Sequence, residues 1–120
     1  MGKADNTGTG ETQVTPSGFK VPTVAEIAKL KEKYPDLFRV KVKDQAGNEY
    51  VALLRKPKIF DQQVAIASET KKKGTYNISI WQNCKLVGDP AIEADDYLYQ
   101  GALSQLDEIC AFAEASVEKL

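Results

Sequence analysis

The stretch Phe38-Arg39-Val40-Lys41-Val42-Lys43 alternates apolar and basic side chains, and after Asp44-Gln45-Ala46-Gly47-Asn48 a second apolar run extends from Glu49 to Arg55. A period of two marks a strand buried on one face, and Asp, Gly and Asn are the residues that accept turn geometry. The pattern predicts a β-hairpin, and the hairpin constrains everything else. Two strands alone are marginal in water, so helices must cover their apolar face or another strand must join them. Arg55-Lys56-Pro57-Lys58 ends the second strand, because proline cannot donate to a ladder. With 120 residues the chain has room for one such domain and little more.

The remaining segments read mostly as helices. Thr23 and Glu26 form a capping-box pair ahead of Val24, Ile27, Leu30 and Tyr34 at helical spacing, and Pro35 ends that helix. Val64, Ala65, Ala67 and Ser68 supply a small-residue face that runs into Lys71-Lys72-Lys73-Gly74, where basic side chains suit the negative end of the helix dipole. Over Thr75 to Val87, Tyr76, Ile78 and Ile80 alternate like a strand, while Tyr76, Ile80, Cys84 and Val87 fit a helix; Trp81 and Gln82-Asn83 favour the helix. Asp89 is placed to cap a helix with Pro90 in its first turn.

From Asp95 onward, Leu98, Ala102, Leu106, Ile109, Ala113, Val117 and Leu120 step by three or four, which predicts one long C-terminal helix. Leu103, Cys110 and Phe112 widen its apolar surface beyond one stripe. The flank left over, Leu103, Ala111 and Phe112, is the candidate partner-binding surface. Ahead of all this, the threonine- and glycine-rich start holds too few large apolar side chains to offset the entropy of ordering it. The expectation is a disordered tail over 1–21 and a single α+β domain over 22–120, in which a hairpin packs against three or four helices.

Composition narrows the chemistry. Histidine is absent, which removes Ser-His-Asp and Cys-His catalysis and imidazole-ligated metal sites. Cys84 and Cys110 are too far apart for a CxxC element and too few for a cysteine-only site, and they read as small buried hydrophobes of a reduced, cytosolic protein. Asp95-Asp96 and Asp107-Glu108 are neighbours on helices and point about 100° apart, so neither pair converges on a proton or a metal. No calcium-loop, phosphate-loop or nucleophile-elbow motif is present, so the reading is a non-enzyme without cofactor or metal. No apolar run approaches the roughly 18 residues of a membrane span, and the first twenty lack the apolar segment of a signal peptide.

The net charge of −1 conceals an asymmetry: residues 20–85 carry 14 Lys and Arg against 7 Asp and Glu, whereas 86–120 carry Lys119 alone against 8 acidic residues. Arg39, Lys41 and Lys43 share the solvent face of the predicted first strand. Such a row keeps an exposed strand soluble, and in an alternative reading it contacts nucleic acid.

The order of elements from residue 37 to 120 resembles the small tail assembly chaperones of tailed bacteriophages. The resemblance is carried by Val51-Ala52-Leu53-Leu54-Arg55-Lys56-Pro57, a polar helix, Trp81-Gln82-Asn83-Cys84-Lys85-Leu86-Val87-Gly88-Asp89-Pro90, and the segment from Asp95-Asp96-Tyr97-Leu98-Tyr99 to Leu120 with Leu106 and Ile109 apolar. The N-terminal segment and the Thr23 to Tyr34 helix have no counterpart in it. It implies a non-enzymatic protein of the host cytoplasm, often oligomeric, that binds the phage tape-measure protein before the tail tube polymerises and is absent from the virion. It carries no catalytic or cofactor residues across. The rival readings are a virion structural or adaptor protein and a small nucleic-acid-binding regulator using Arg39, Lys41 and Lys43.

Overall fold

A computed structural model describes residues 13–110 and 115–120. The hairpin forms where the alternation places it: β1 (Leu37–Lys43) pairs antiparallel with β2 (Glu49–Arg55), with Val40 opposite Ala52 and Val42 opposite Tyr50. Its turn is organised by Asp44, whose carboxylate accepts from the Ala46 and Asn48 N–H groups at 2.9 Å each and from the Tyr50 hydroxyl at 3.0 Å. Gly47 supplies the one positive φ of that turn, +92°.

Two helices follow, α2 (Ile59–Lys71) and α3 (Tyr76–Cys84), and then a third strand, β3 (Lys85–Gly88), joins β2 antiparallel. The ambiguous stretch is therefore both things in turn, helix to Cys84 and strand from Lys85. The sheet order is β1-β2-β3, which meets the hairpin's need for a further strand. At the Ala52–Gly88 pair a Cβ on Gly88 would stand 3.0 Å from the Ala52 Cβ, so glycine permits the close approach. Glu69, on α2, accepts from the Gly74 and Tyr76 N–H groups and thereby caps α3 from the preceding helix. Those two backbone hydrogen bonds hold its carboxyl below the usual range.

Asp89 caps α4 (Pro90–Ala94) by accepting from the Ala91 N–H, with Pro90 in the first turn as its fixed φ favours. Asp95 caps α5 (Asp96–Leu103). α1 (Val24–Lys33) carries the expected Thr23–Glu26 capping box.

The main core lies on one face of the sheet, and Val51 and Leu53 are buried on the other. Val40, Val42, Tyr50, Ala52 and Leu54 meet Ala65, Ile80, Trp81, Cys84, Ile92, Leu98, Ala102, Leu103, Leu106 and Ile109. Trp81 fills its middle, 1% exposed, with its ring edge-on to Tyr99 and its Nε1 donating to Glu93 at 2.7 Å. Burial pushes the Cys84 thiol up to about 11, which suits an inert core residue.

The structure corrects the expectation of one long C-terminal helix. The long C-terminal helix breaks after Leu103, and among the described residues a short α6 (Leu106–Ile109) is the one helix that follows. The Ser104 hydroxyl donates to the Gly101 carbonyl at 2.7 Å and the Gln105 N–H bonds to Ala102, three residues back, so the turn tightens and the helix stops. Residues 115–120 are not helical, and Val117 and Leu120 are exposed.

Residues 13–21, inside the segment expected to be a disordered tail, make specific contacts with the rest of the chain. A Val14–Lys20 bridge closes a small turn, and the Thr15 and Ser17 hydroxyls each donate to Asp89 at 2.6 Å. Asp89 is 2% exposed and Thr15 8%, so this polar latch is buried, and Phe19 and Val21 beside it are half-buried. The rest of that expected tail, 1–12, lies outside the described residues.

Asp89→Ala should cost about 2 kcal/mol in urea unfolding, from the lost cap and the lost charge-assisted hydrogen bonds. It should also quicken tryptic cleavage after Lys20 by about tenfold, by freeing the segment locally. Unchanged cleavage would show that the segment is held by something other than Asp89.

Candidate partner-binding surface

Exposed apolar side chains concentrate on α2. Its inward face is made of Asp61, Ala65 and Ser68, at i, i+4 and i+7: Ala65 is buried in the core, and the Ser68 hydroxyl shares a 2.7 Å hydrogen bond with that of Thr75. These small side chains let α2 lie close to α3. The outward face carries Phe60 and Val64 along one flank, 71% and 37% exposed, and Ile59 and Ile66 along the other, 73% and 57% exposed. The helix thus turns small and polar side chains to the domain and leaves its large apolar side chains in solvent. Scattered exposed apolar residues are ordinary, whereas here they come as two neighbouring pairs, Phe60 with Val64 at i and i+4 and Ile59 with Ile66 at i and i+7, which gives one helix an apolar surface on both flanks of the kind that marks interaction sites.

The start of α2 is fixed by one ion pair. Arg55, at the end of β2, donates from Nη1 and Nη2 to the two Asp61 oxygens at 2.8 and 3.0 Å and from Nη2 to the Asn83 carbonyl at 3.0 Å. Asp61 also accepts from the Lys58 N–H at 2.7 Å, which caps the helix. The Arg55 guanidinium, with help from that N–H, holds the Asp61 carboxyl below the usual range.

Beside that start, Lys33, Tyr34, Pro35 and Asp36 face Arg55, Lys56, Pro57 and Lys58 across an open cleft of about 630 Å³. The Lys56 N–H donates to the Asp36 carbonyl at 3.1 Å and ties the two walls together.

Of the residues singled out from the sequence, Leu103 is a core residue, 7% exposed, and not part of a free flank. The helix break rotates the following turn, so the surplus stripe drawn on a continuous helix does not form through it. Ala111 and Phe112 lie outside the described residues. Arg39, Lys41 and Lys43 do share one exposed face of β1, with Lys43 3.8 Å from Glu49. The sequence pattern hides the α2 surface, because Ala65 and Ser68 merge with Val64 and Ala67 into one small-residue face. The signal was available in Ile59, Phe60 and Ile66, three large apolar residues that this inward face cannot accommodate.

Among the described residues no helix is long and apolar enough to cross a membrane, and no three His, Cys, Asp or Glu side chains are grouped to hold a metal ion. The fold and this surface define a small α+β domain with a three-stranded antiparallel sheet and one outward apolar helix face. No family model, no curated protein and no solved structure matches the chain.

Proposed function

We propose that this chain is a non-enzymatic assembly chaperone of the phage-tail type, which shields an aggregation-prone helical client, the tape-measure protein, in the host cytoplasm before the tail tube forms. The observation that carries the reading is the outward face of α2, with Ile59, Phe60, Val64 and Ile66 open to solvent. An amphipathic client helix buries its own apolar stripe against such a face, in the helix-on-groove mode of recognition. The order of hairpin, helices and Trp81 to Pro90 segment supports the phage context by resemblance. The short sheet and its helices serve as a scaffold that holds α2 in place through Arg55, Asp61 and Glu69.

The test is a pull-down from cells infected by a tailed phage, with the chain as bait and a nuclease-treated control. Wild type should recover a long, helical tape-measure protein that survives nuclease, and the Phe60→Glu/Val64→Glu variant should recover at least about tenfold less. Both side chains are exposed, so the variant's urea midpoint should stay unchanged. Equal recovery by the variant would sink the α2 reading. Partners lost on nuclease treatment would instead favour the regulator reading, with Arg39, Lys41 and Lys43, all exposed, as its contacts.

A further inference from the structure

We infer that the partner docking on α2 is an acidic amphipathic segment, its carboxylates received by Lys33, Lys56 and Lys58 and its apolar side chains by Ile59, Phe60 and Val64. The inference rests on the reading of α2 as the client surface and adds the partner's chemistry.

The first ground is charge. Among the described residues, Arg55 is satisfied by Asp61, but Lys33, Lys56 and Lys58 have no carboxylate within ion-pair distance. Asp36 is the one acidic residue lining their cleft. Three lysines against one carboxylate leave an excess of positive charge that a carboxylate-bearing partner would neutralise.

The second ground is shape. Each wall contains an X-Pro unit, Tyr34-Pro35 and Lys56-Pro57, and the walls are joined by the Lys56 to Asp36 backbone hydrogen bond. Proline fixes its own φ and restricts the residue before it, so the cleft is ordered before any partner arrives. The Lys33 ammonium lies 5.6 Å from the centre of the Tyr34 ring, a cation–π contact that holds it at the cleft.

The third ground is continuity. Lys58 is the residue immediately before α2, and Ile59 and Phe60 follow it directly. A partner seated along α2 therefore meets cations at one end and apolar side chains beyond them. A nucleic acid would use the lysines but has no use for the aliphatic Ile59 and Val64, which favours the peptide.

The experiment is fluorescence anisotropy of the full chain with three labelled synthetic helices of about 18 residues, roughly five turns, sharing one leucine stripe and differing in flanking residues: Glu, Gln or Lys. A thymidine oligonucleotide is the fourth probe. The Glu probe should bind at least about tenfold more tightly than the Gln probe, and the preference should vanish near 0.5 M salt, where exposed charges are screened. Lys56→Glu/Lys58→Glu should abolish the preference while the Gln probe binds as before, and Lys33→Glu should weaken it independently.

Equal binding of the Glu and Gln probes would overturn the inference and leave the α2 surface standing. Binding of no probe would remove the α2 reading itself. Tighter binding of the oligonucleotide than of the Glu probe would assign the cleft to phosphate and overturn the peptide.

Discussion

Replacing Asp61 with alanine is expected to cost about 3 kcal/mol in urea unfolding, because it strands the Arg55 guanidinium in a largely buried position and uncaps α2. The same carboxylate answers two Arg55 nitrogens and the Lys58 N–H, so its removal loosens the end of β2 and the start of α2 together. Arg55→Ala should be comparably damaging, since it also releases the Asn83 carbonyl at the end of α3. Replacing both, as Arg55→Met/Asp61→Leu, should recover much of the loss, because an apolar pair carries no stranded charge. A loss below about 1 kcal/mol for Asp61→Ala would mean that water screens the pair as at an open surface.

The pair also sets a pH dependence. The folded-state pKa of Asp61 is depressed, so its contribution is fully present above the ordinary carboxylate value near 4 and is lost as pH falls from there through the folded value. Asp61→Asn should flatten that part of the acid limb in a denaturation series, and an unchanged limb would assign the acid sensitivity to other carboxylates.

Trp81→Ala is expected to cost about 4 kcal/mol, the loss typical of a fully buried aromatic residue that leaves a cavity. For a domain whose total stability is of order 5–15 kcal/mol, that is enough to populate unfolded chains. Trp81 joins three helices: it belongs to α3, donates to Glu93 on α4 and meets Tyr99 on α5 edge-on. Glu93 additionally pairs with Lys85, and these two partners together hold its carboxyl below the usual range. Trp81→Phe keeps an aromatic ring against Tyr99 and loses the hydrogen bond, so about 1–2 kcal/mol is expected from urea midpoints. A Phe variant as unstable as the Ala variant would show that the Glu93 contact, not packing, dominates.

The hairpin, the capping box at Thr23 and the cap at Asp89 were all legible, because each is a local preference written in consecutive residues. The apolar positions of the C-terminal half were legible too: Leu98, Ala102, Leu106 and Ile109 are buried although the helix through them is broken. Periodicity registers which side chains turn inward and is blind to a Ser104 hydroxyl that tightens one turn. The contacts of the N-terminal segment are not legible in composition, which weighs apolar content, whereas Thr15 and Ser17 donate to a carboxylate far along the chain. For the surface, the sequence pointed to Leu103 because a helix drawn without its break left a spare flank there. Asp61 turns inward to Arg55 and so sends its two predecessors, Ile59 and Phe60, out to solvent, a direction that a tertiary ion pair sets and local periodicity does not.

The latch of Thr15 on Asp89 spans 74 residues, and β3 reaches β2 only after two helices have intervened. During synthesis, then, the hairpin leaves the ribosome well before the strand that completes its sheet, by a few seconds at ordinary elongation rates. In that interval β2 has an open edge, and Val51 and Leu53, buried in the finished domain, await their cover. The basic row on β1 acquires a second meaning in the nascent chain: Arg39, Lys41 and Lys43 place like charge on the hairpin while that edge is open, and like charge opposes pairing between neighbouring hairpins.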